Sequence, residues 1–168
     1  MSREELSEDA GRRVLVVDDN PHARQLIASV LRAAEVRSVS FASNGAEGLR
    51  VLADWAPDAI IADLEMEPID GLKFTRAVRA HDHDLIATIP IVMVTSRTDL
   101  ASVMQARDAG VDEFVAKPIT VRNLVERFEA ALLQRRDFVR TPHYVGPCRR
   151  RRAGGEDAPA RRFSDGVL

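Results

Sequence analysis

The stretch PDAIIADLEMEPIDGL, Pro57–Leu72, decides how the chain is read. Ala59-Ile60-Ile61-Ala62 is an apolar run too short for a helix and suited to a strand covered on both faces. The run ends on Asp63, and Glu65, Glu67 and Asp70 follow close behind. From this stretch alone Asp63 is open to three readings: a solvated strand end, a metal ligand or a nucleophile. Asp70 stands where a helix N-cap belongs, ahead of Leu72, Phe74, Ala77 and Val78 at helical spacing.

The same unit recurs on either side. RRVLVVDD, Arg12–Asp19, is a short β-branched run, and PHARQLIASVLRAA follows it with Pro21 in a first-turn position. VRSVSF alternates like a strand and leads through Asn44-Gly45 into a helical pattern. IPIVMVTS is a fourth strand, followed by a helix that has Asp99 near its start and Gly110 as its stop. VDEFVAK is a fifth strand, and after Pro118 a last helix begins with Thr120 as its N-cap. Strands alternating with helices imply a parallel sheet covered on both sides. Right-handed crossovers then make a doubly wound open α/β sheet the economical topology, since a closed barrel needs eight units.

The chain has 168 residues with 45% hydrophobic content, which suits one domain and a tail. A disordered lead is expected over residues 1–11, a folded domain over 12–136 and a largely disordered Arg/Pro/Gly-rich tail over 137–168. Net charge is -2, with 17 basic against 22 acidic side chains through Arg136 and 7 against 4 beyond it. The whole chain therefore has no bias toward nucleic acid or membrane, although the tail is basic. Cys148 is the one cysteine, so an internally disulfide-stapled fold is excluded and a reducing cytoplasm is the expected location. No stretch approaches the ~18 continuous apolar residues of a membrane span.

In open α/β sheets the loops at the carboxyl ends of the strands build the site. Those ends carry Asp18-Asp19, Asp63, Thr95-Ser96 and Lys117-Pro118. Parallel strands lie ~4.8 Å apart, so these groups can converge. Clustered carboxylates raise each other's pKa values unless a cation joins them, and Mg²⁺ takes one or two carboxylates plus water and phosphate oxygens. Acids, a hydroxyl and a lysine are what phosphoryl transfer to a carboxylate requires.

This constellation resembles the receiver domain of bacterial two-component response regulators. The matching residues are Asp18-Asp19 in VLVVDDN, Asp63 in IIADLEMEPIDG, Thr95-Ser96 in IVMVTS and Lys117-Pro118 in FVAKP, over about residues 12–136. The resemblance implies a flavodoxin-like (βα)5 fold with strand order 2-1-3-4-5. It implies that Asp63 accepts a phosphoryl group from a sensor histidine kinase or histidine phosphotransfer protein, with Mg²⁺ held by Asp18, Asp19, Asp63 and the backbone carbonyl of Glu65. Lys117 would pair with a phosphoryl oxygen, Thr95 would contact the group and switch rotamer, and Phe114 would be the aromatic switch. Glu65 and Arg97 would flank the site, and the Lys117-Pro118 bond would be cis. The protein would not be an enzyme acting on a separate substrate; it would promote only its own phosphorylation and dephosphorylation. Output would pass to a downstream protein. The family commonly has Met-Pro where this chain has Met66-Glu67-Pro68, so the loop should keep its length and change its dihedrals.

Other readings stand beside these. Asp18-Asp19 could cap the helix at Pro21, and Phe114 could be plain core. HDHD, His81–Asp84, suggests a metal site, but in a polar loop away from the acids. Arg149–Arg152 could meet nucleic-acid phosphates; docking to a protein, or folding back on the acidic body, is the expected alternative. A haloacid-dehalogenase-type phosphatase would need a second aspartate where Asn20 stands.

Overall fold

The computed structural model describes residues 11–150. The expected disordered lead falls almost wholly outside them, as does the tail beyond Arg150. In chain order the elements are β1 (Arg13–Val17), α1 (Pro21–Ala33), β2 (Ser38–Ala42), α2 (Gly45–Asp54), β3 (Ala59–Asp63) and α3 (Gly71–Arg79). Then come α4 (Asp84–Ala87), β4 (Ile91–Thr95), α5 (Leu100–Ala109), β5 (Glu113–Ala116), α6 (Val121–Leu133), β6 (Phe138–Thr141) and β7 (Tyr144–Pro147). The first five strands form a parallel sheet in the order β2-β1-β3-β4-β5, the doubly wound arrangement the alternation implied.

Side-chain alternation divides the core into two layers. Leu15, Val17, Ile60, Ala62, Ile91 and Met93 face one side and meet Leu52 of α2 with Phe74 and Val78 of α3. Val14, Val16, Ile61, Val92 and Val94 face the other and meet Ile27 and Leu31 of α1 with Leu124 and Phe128 of α6. The central strands β3 and β4 are buried throughout, which is why they read as unbroken apolar runs.

Helix starts follow local chemistry. The side chains of Asn20, Asn44, Asp70, Asp99 and Thr120 each accept a backbone N–H of the helix they precede. Asn20, rather than Asp18 or Asp19, therefore caps α1, which leaves both acids for other work. Gly71 opens α3 where a Cβ would lie 2.3 Å from the Asp63 carbonyl oxygen and 2.8 Å from Met93 Sδ. Only a glycine lets the loop after Asp63 return this close to the strand.

One expectation changes. Residues 138–147 are not irregular: β6 and β7 pair antiparallel across Pro142-His143. The body holds this hairpin. Phe138 packs on the Arg79 guanidinium, Arg140 pairs with Asp84, and Arg149 pairs with Asp108. The HDHD stretch is taken up in local structure. His83 caps the short α4, its Nδ1 accepting from Leu85 N–H, and Asp84 is taken by Arg140.

Candidate functional site

The strand order brings β1 beside β3 and β3 beside β4, so residues at or just past their carboxyl ends meet. Asp63 is the last residue of β3, Thr95 the last of β4, and Asp18-Asp19 directly follow β1. Carboxylate oxygens of Asp18, Asp19 and Asp63 all lie within 4.8 Å of one another. Asp18 and Asp63 are buried, whereas Asp19 is exposed.

Asp18 is held from two sides. Its Oδ1 accepts the Asn20 N–H at 2.8 Å, and its main-chain carbonyl accepts Arg24 Nη1 at 2.7 Å. Its Oδ2 is buried and has no hydrogen-bond partner among the described residues. A stranded carboxylate oxygen next to two further acids is an unsatisfied acceptor that a hard cation would complete. On that observation the residues fit Mg²⁺, with Asp18, Asp19 and Asp63 as its protein carboxylates.

Lys117, just past β5, reaches across β4 and places Nζ 3.2 Å from Asp63 Oδ1. Burial pushes the Asp63 carboxyl above its ordinary value, while Lys117 and the Glu65 backbone N–H oppose the shift. Burial raises Asp18 as well, against the Asn20 N–H, and the charge of Asp63 adds to the rise. Thr95 is fully buried, and its Oγ1 accepts the Arg97 N–H at 2.9 Å. Glu65 and Arg97 pair at 3.0 Å with both side chains more than half exposed. Phe114 lies one layer down, half-buried against the core on the α3 side.

The Lys117-Pro118 bond is cis, and so is Glu67-Pro68 in the loop after Asp63. Asp19 opens onto a cleft of about 550 Å³ whose walls also include Glu65, Glu67, Asp70, Arg97 and Gln105. Sequence reasoning missed Arg24, Gln105 and the orphaned Asp18 Oδ2. Arg24 carried a signal: it lies on the first helix, one turn past Asp18-Asp19.

A family model described as the response regulator receiver domain matches residues 14–129. The transcriptional regulatory protein PrrA of Mycobacterium leprae is 35% identical over 157 residues, covering 86% of this chain and 64% of that protein. The chain spans less than two thirds of the length of the curated relatives it matches. Among solved structures, the Vibrio cholerae chemotaxis protein CheY4 superposes with a TM-score of 0.68 at 28% identity, covering 73% of this chain and all of that one (100%). The receiver domain of sensor histidine kinase PA1611 of Pseudomonas aeruginosa, which has a magnesium ion coordinated in its active-site cleft, superposes with a TM-score of 0.66 at 27% identity, covering 73% of this chain and 98% of that one.

Proposed function

We propose, from the premise that the chain belongs to the response regulator receiver domain family, that Asp63 accepts a phosphoryl group from a phosphohistidine and that the protein works as a phosphorylation-controlled switch. The donor is a sensor histidine kinase or a histidine phosphotransfer protein. One observation carries the reading: Lys117 sits on Asp63 beside an Asp18 oxygen that has no partner among the described residues.

The transfer is a single displacement. An Asp63 carboxylate oxygen attacks phosphorus, a P–O bond forms, the P–N bond to the donor imidazole breaks, and the ring nitrogen leaves with the electron pair. Asp63 must be anionic to attack, and Lys117 favours that form despite burial. Lys117 then carries a positive charge beside a phosphoryl oxygen, and the Thr95 hydroxyl is a donor one strand away. Asp18, Asp19 and Asp63, with the Glu65 carbonyl, would hold Mg²⁺, which supplies neutralisation of the charge gathered at the acids. Phe114 and Thr95 are the candidate switch residues, and Glu65 and Arg97 the rim that a departing or entering group passes.

The protein promotes only its own phosphorylation and dephosphorylation, and output is by binding another protein. A cytoplasmic location suits a phosphohistidine donor, and among the described residues no helix is long and apolar enough to cross a membrane. Of the tail's arginines, Arg140 and Arg149 pair with Asp84 and Asp108 of the body, which supports folding back for those two; Arg151 and Arg152, of the run that could meet nucleic-acid phosphates, lie outside the described residues. A haloacid-dehalogenase-type phosphatase draws little support, because Asn20 stands where the second aspartate is needed and its side chain caps α1.

The test is direct. The full chain, incubated with acetyl phosphate and Mg²⁺, should gain one phosphoryl group by intact mass, labile to hydroxylamine as an acyl phosphate is. The Asp63→Asn variant should gain none, and a variant that labels as the parent does would overturn the assignment.

A further inference from the structure

The hairpin β6–β7 lies beyond the segment that the receiver family matches, which ends at residue 129. It docks on the end of α5 farthest from Asp63. Gly146 meets the turn that ends α5 so closely that a Cβ on it would lie 2.9 Å from Gly110 Cα and 2.6 Å from the Tyr144 hydroxyl. Arg149 stacks on Tyr144 at 4.1 Å and reaches Asp108 of α5 at 3.5 Å. Arg136 donates to the carbonyls of Val111 and Asp112, and buried Arg79 donates to that of Gly110. The turn after α5 is therefore gripped from both sides.

Without that grip α5 has little to hold it. The residues it buries are Ser102, Ala106 and Ala109, all small. By contrast α1 buries Ile27, Val30 and Leu31, and α6 buries Leu124 and Phe128. Two of the largest exposed apolar side chains, Leu100 and Met104, are on α5 as well. Small buried side chains anchor a helix weakly, because the stabilisation scales with the apolar area removed from water.

The loop before α5 and the middle of the helix border the acceptor cleft. Gln105 and Arg97 line it, and the Arg97 N–H bonds Thr95 Oγ1 while its guanidinium pairs with Glu65. One weakly anchored helix thus joins the cleft to the hairpin.

The geometry points to the hairpin as a latch on α5, coupled to the cleft through that helix. Docked, the latch keeps the loop before α5 drawn over the cleft, with Arg97 tied to Glu65 and Thr95. A phosphoryl group on Asp63 brings negative charge that repels the Glu65 carboxylate and draws the Arg97 guanidinium, and so loosens the ion pair between them. It therefore favours release of that loop and a shift of α5, and a shift of α5 strips the hairpin's seat. Docking and phosphoryl occupancy oppose each other, and the coupling is reciprocal. This inference rests on the reading of Asp63 as phosphoacceptor.

The experiment uses the full chain with acetyl phosphate and Mg²⁺. Intact mass reports labelling, and hydrogen exchange of residues 138–147 reports docking. Labelling should speed exchange of the hairpin amides by at least about fivefold, in the range of ordinary coupling energies. Gly146→Val and Tyr144→Ala, neither of which touches the acids, should each raise the phosphorylated fraction at a fixed sub-saturating donor concentration. Normal labelling with unchanged hairpin exchange overturns the latch and leaves the phosphoacceptor reading intact. A fraction unmoved in both variants, once their hairpins exchange fast, also overturns it. A parent chain that takes no label removes both ideas together.

Discussion

Lys117 Nζ stands 3.2 Å from Asp63 Oδ1, although their strands, β5 and β3, are separated in the sheet by β4. The contact spans a whole strand because the lysine stem crosses over the end of β4, and it is only one-third exposed. Its consequence is chemical: a buried carboxylate stays closer to its anionic form than burial alone would allow.

Lys117→Met should slow labelling of Asp63 by about a hundredfold, the usual effect of removing one preorganised charge from a developing anion. Lys117→Arg should recover little of it, since the planar guanidinium presents its donors in a different geometry. Time courses of intact mass with acetyl phosphate at saturating Mg²⁺ check both. Labelling by the Met variant at the parent rate would refute the role.

Asp63 also gives a stability prediction with a definite sign. Burial raises its folded-state pKa above the ordinary value of 3.8. A raised folded pKa means that the protonated form is favoured by folding. The associated stability is complete below the ordinary carboxylate range and is lost as pH rises through the elevated value. At neutral pH ionised Asp63 is therefore a burden on the fold. Asp63→Asn should melt higher than the parent at about pH 7 in the presence of a chelator, and the difference should close on acidification toward the ordinary range. Lys117, partly exposed, can turn to water in the variant. Calorimetry across pH decides; a gap that widens with acid contradicts the argument.

Magnesium should reverse the same burden. With the Asp18 Oδ2 orphan satisfied, the parent should gain about 2.7 kcal/mol at a hundredfold excess over Kd. Asp18→Asn should lose nearly all of that gain. Arg24 holds the main-chain carbonyl of Asp18 and touches no acid oxygen in the set. Arg24→Ala should weaken Mg²⁺ binding about tenfold, as the loss of an outer partner of a metal ligand does. Titration calorimetry measures each, and unaltered affinity in the Arg24 variant would show that the carbonyl needs no pin.

Much of this was legible in the chain because it is written in local chemistry. β3 and β4 are unbroken apolar runs, and Asp70, Asp99 and Thr120 lie at N-cap positions. The convergence of Asp18, Asp63, Thr95 and Lys117 needed only a parallel sheet with the expected order. The hairpin was not legible, because its strands are four residues each and their stability lies in contacts with Arg79, Gly110 and Asp108, far away in sequence. Arg79, in the last turn of α3, is 2% exposed, and no local pattern in the sequence signals that burial. The cis bond at Glu67-Pro68 had only the displaced proline as a hint.

Arg79 supplies the last prediction. Its Nε donates to the Gly110 carbonyl at 2.9 Å, its Nη1 to those of Ala87 and Ile89 at 2.8 and 2.7 Å, and its Nη2 to Asp112 at 2.8 Å. Asp112 Oδ2 also accepts the Ile91 N–H, which starts β4. Removing the guanidinium takes the donor from three carbonyls and leaves the Asp112 carboxylate with the Ile91 N–H but without its Arg79 charge partner, so Arg79→Met should cost about 3–5 kcal/mol. Much of that cost is the lone charge left on Asp112, not the packing of the arginine stem. Adding Asp112→Asn to Arg79→Met should therefore recover part of the loss, while Asp112→Asn alone destabilises. Urea unfolding of the four proteins in a double-mutant cycle measures the coupling. Additive effects would mean that the pair is held by its surroundings and contributes no mutual stabilisation.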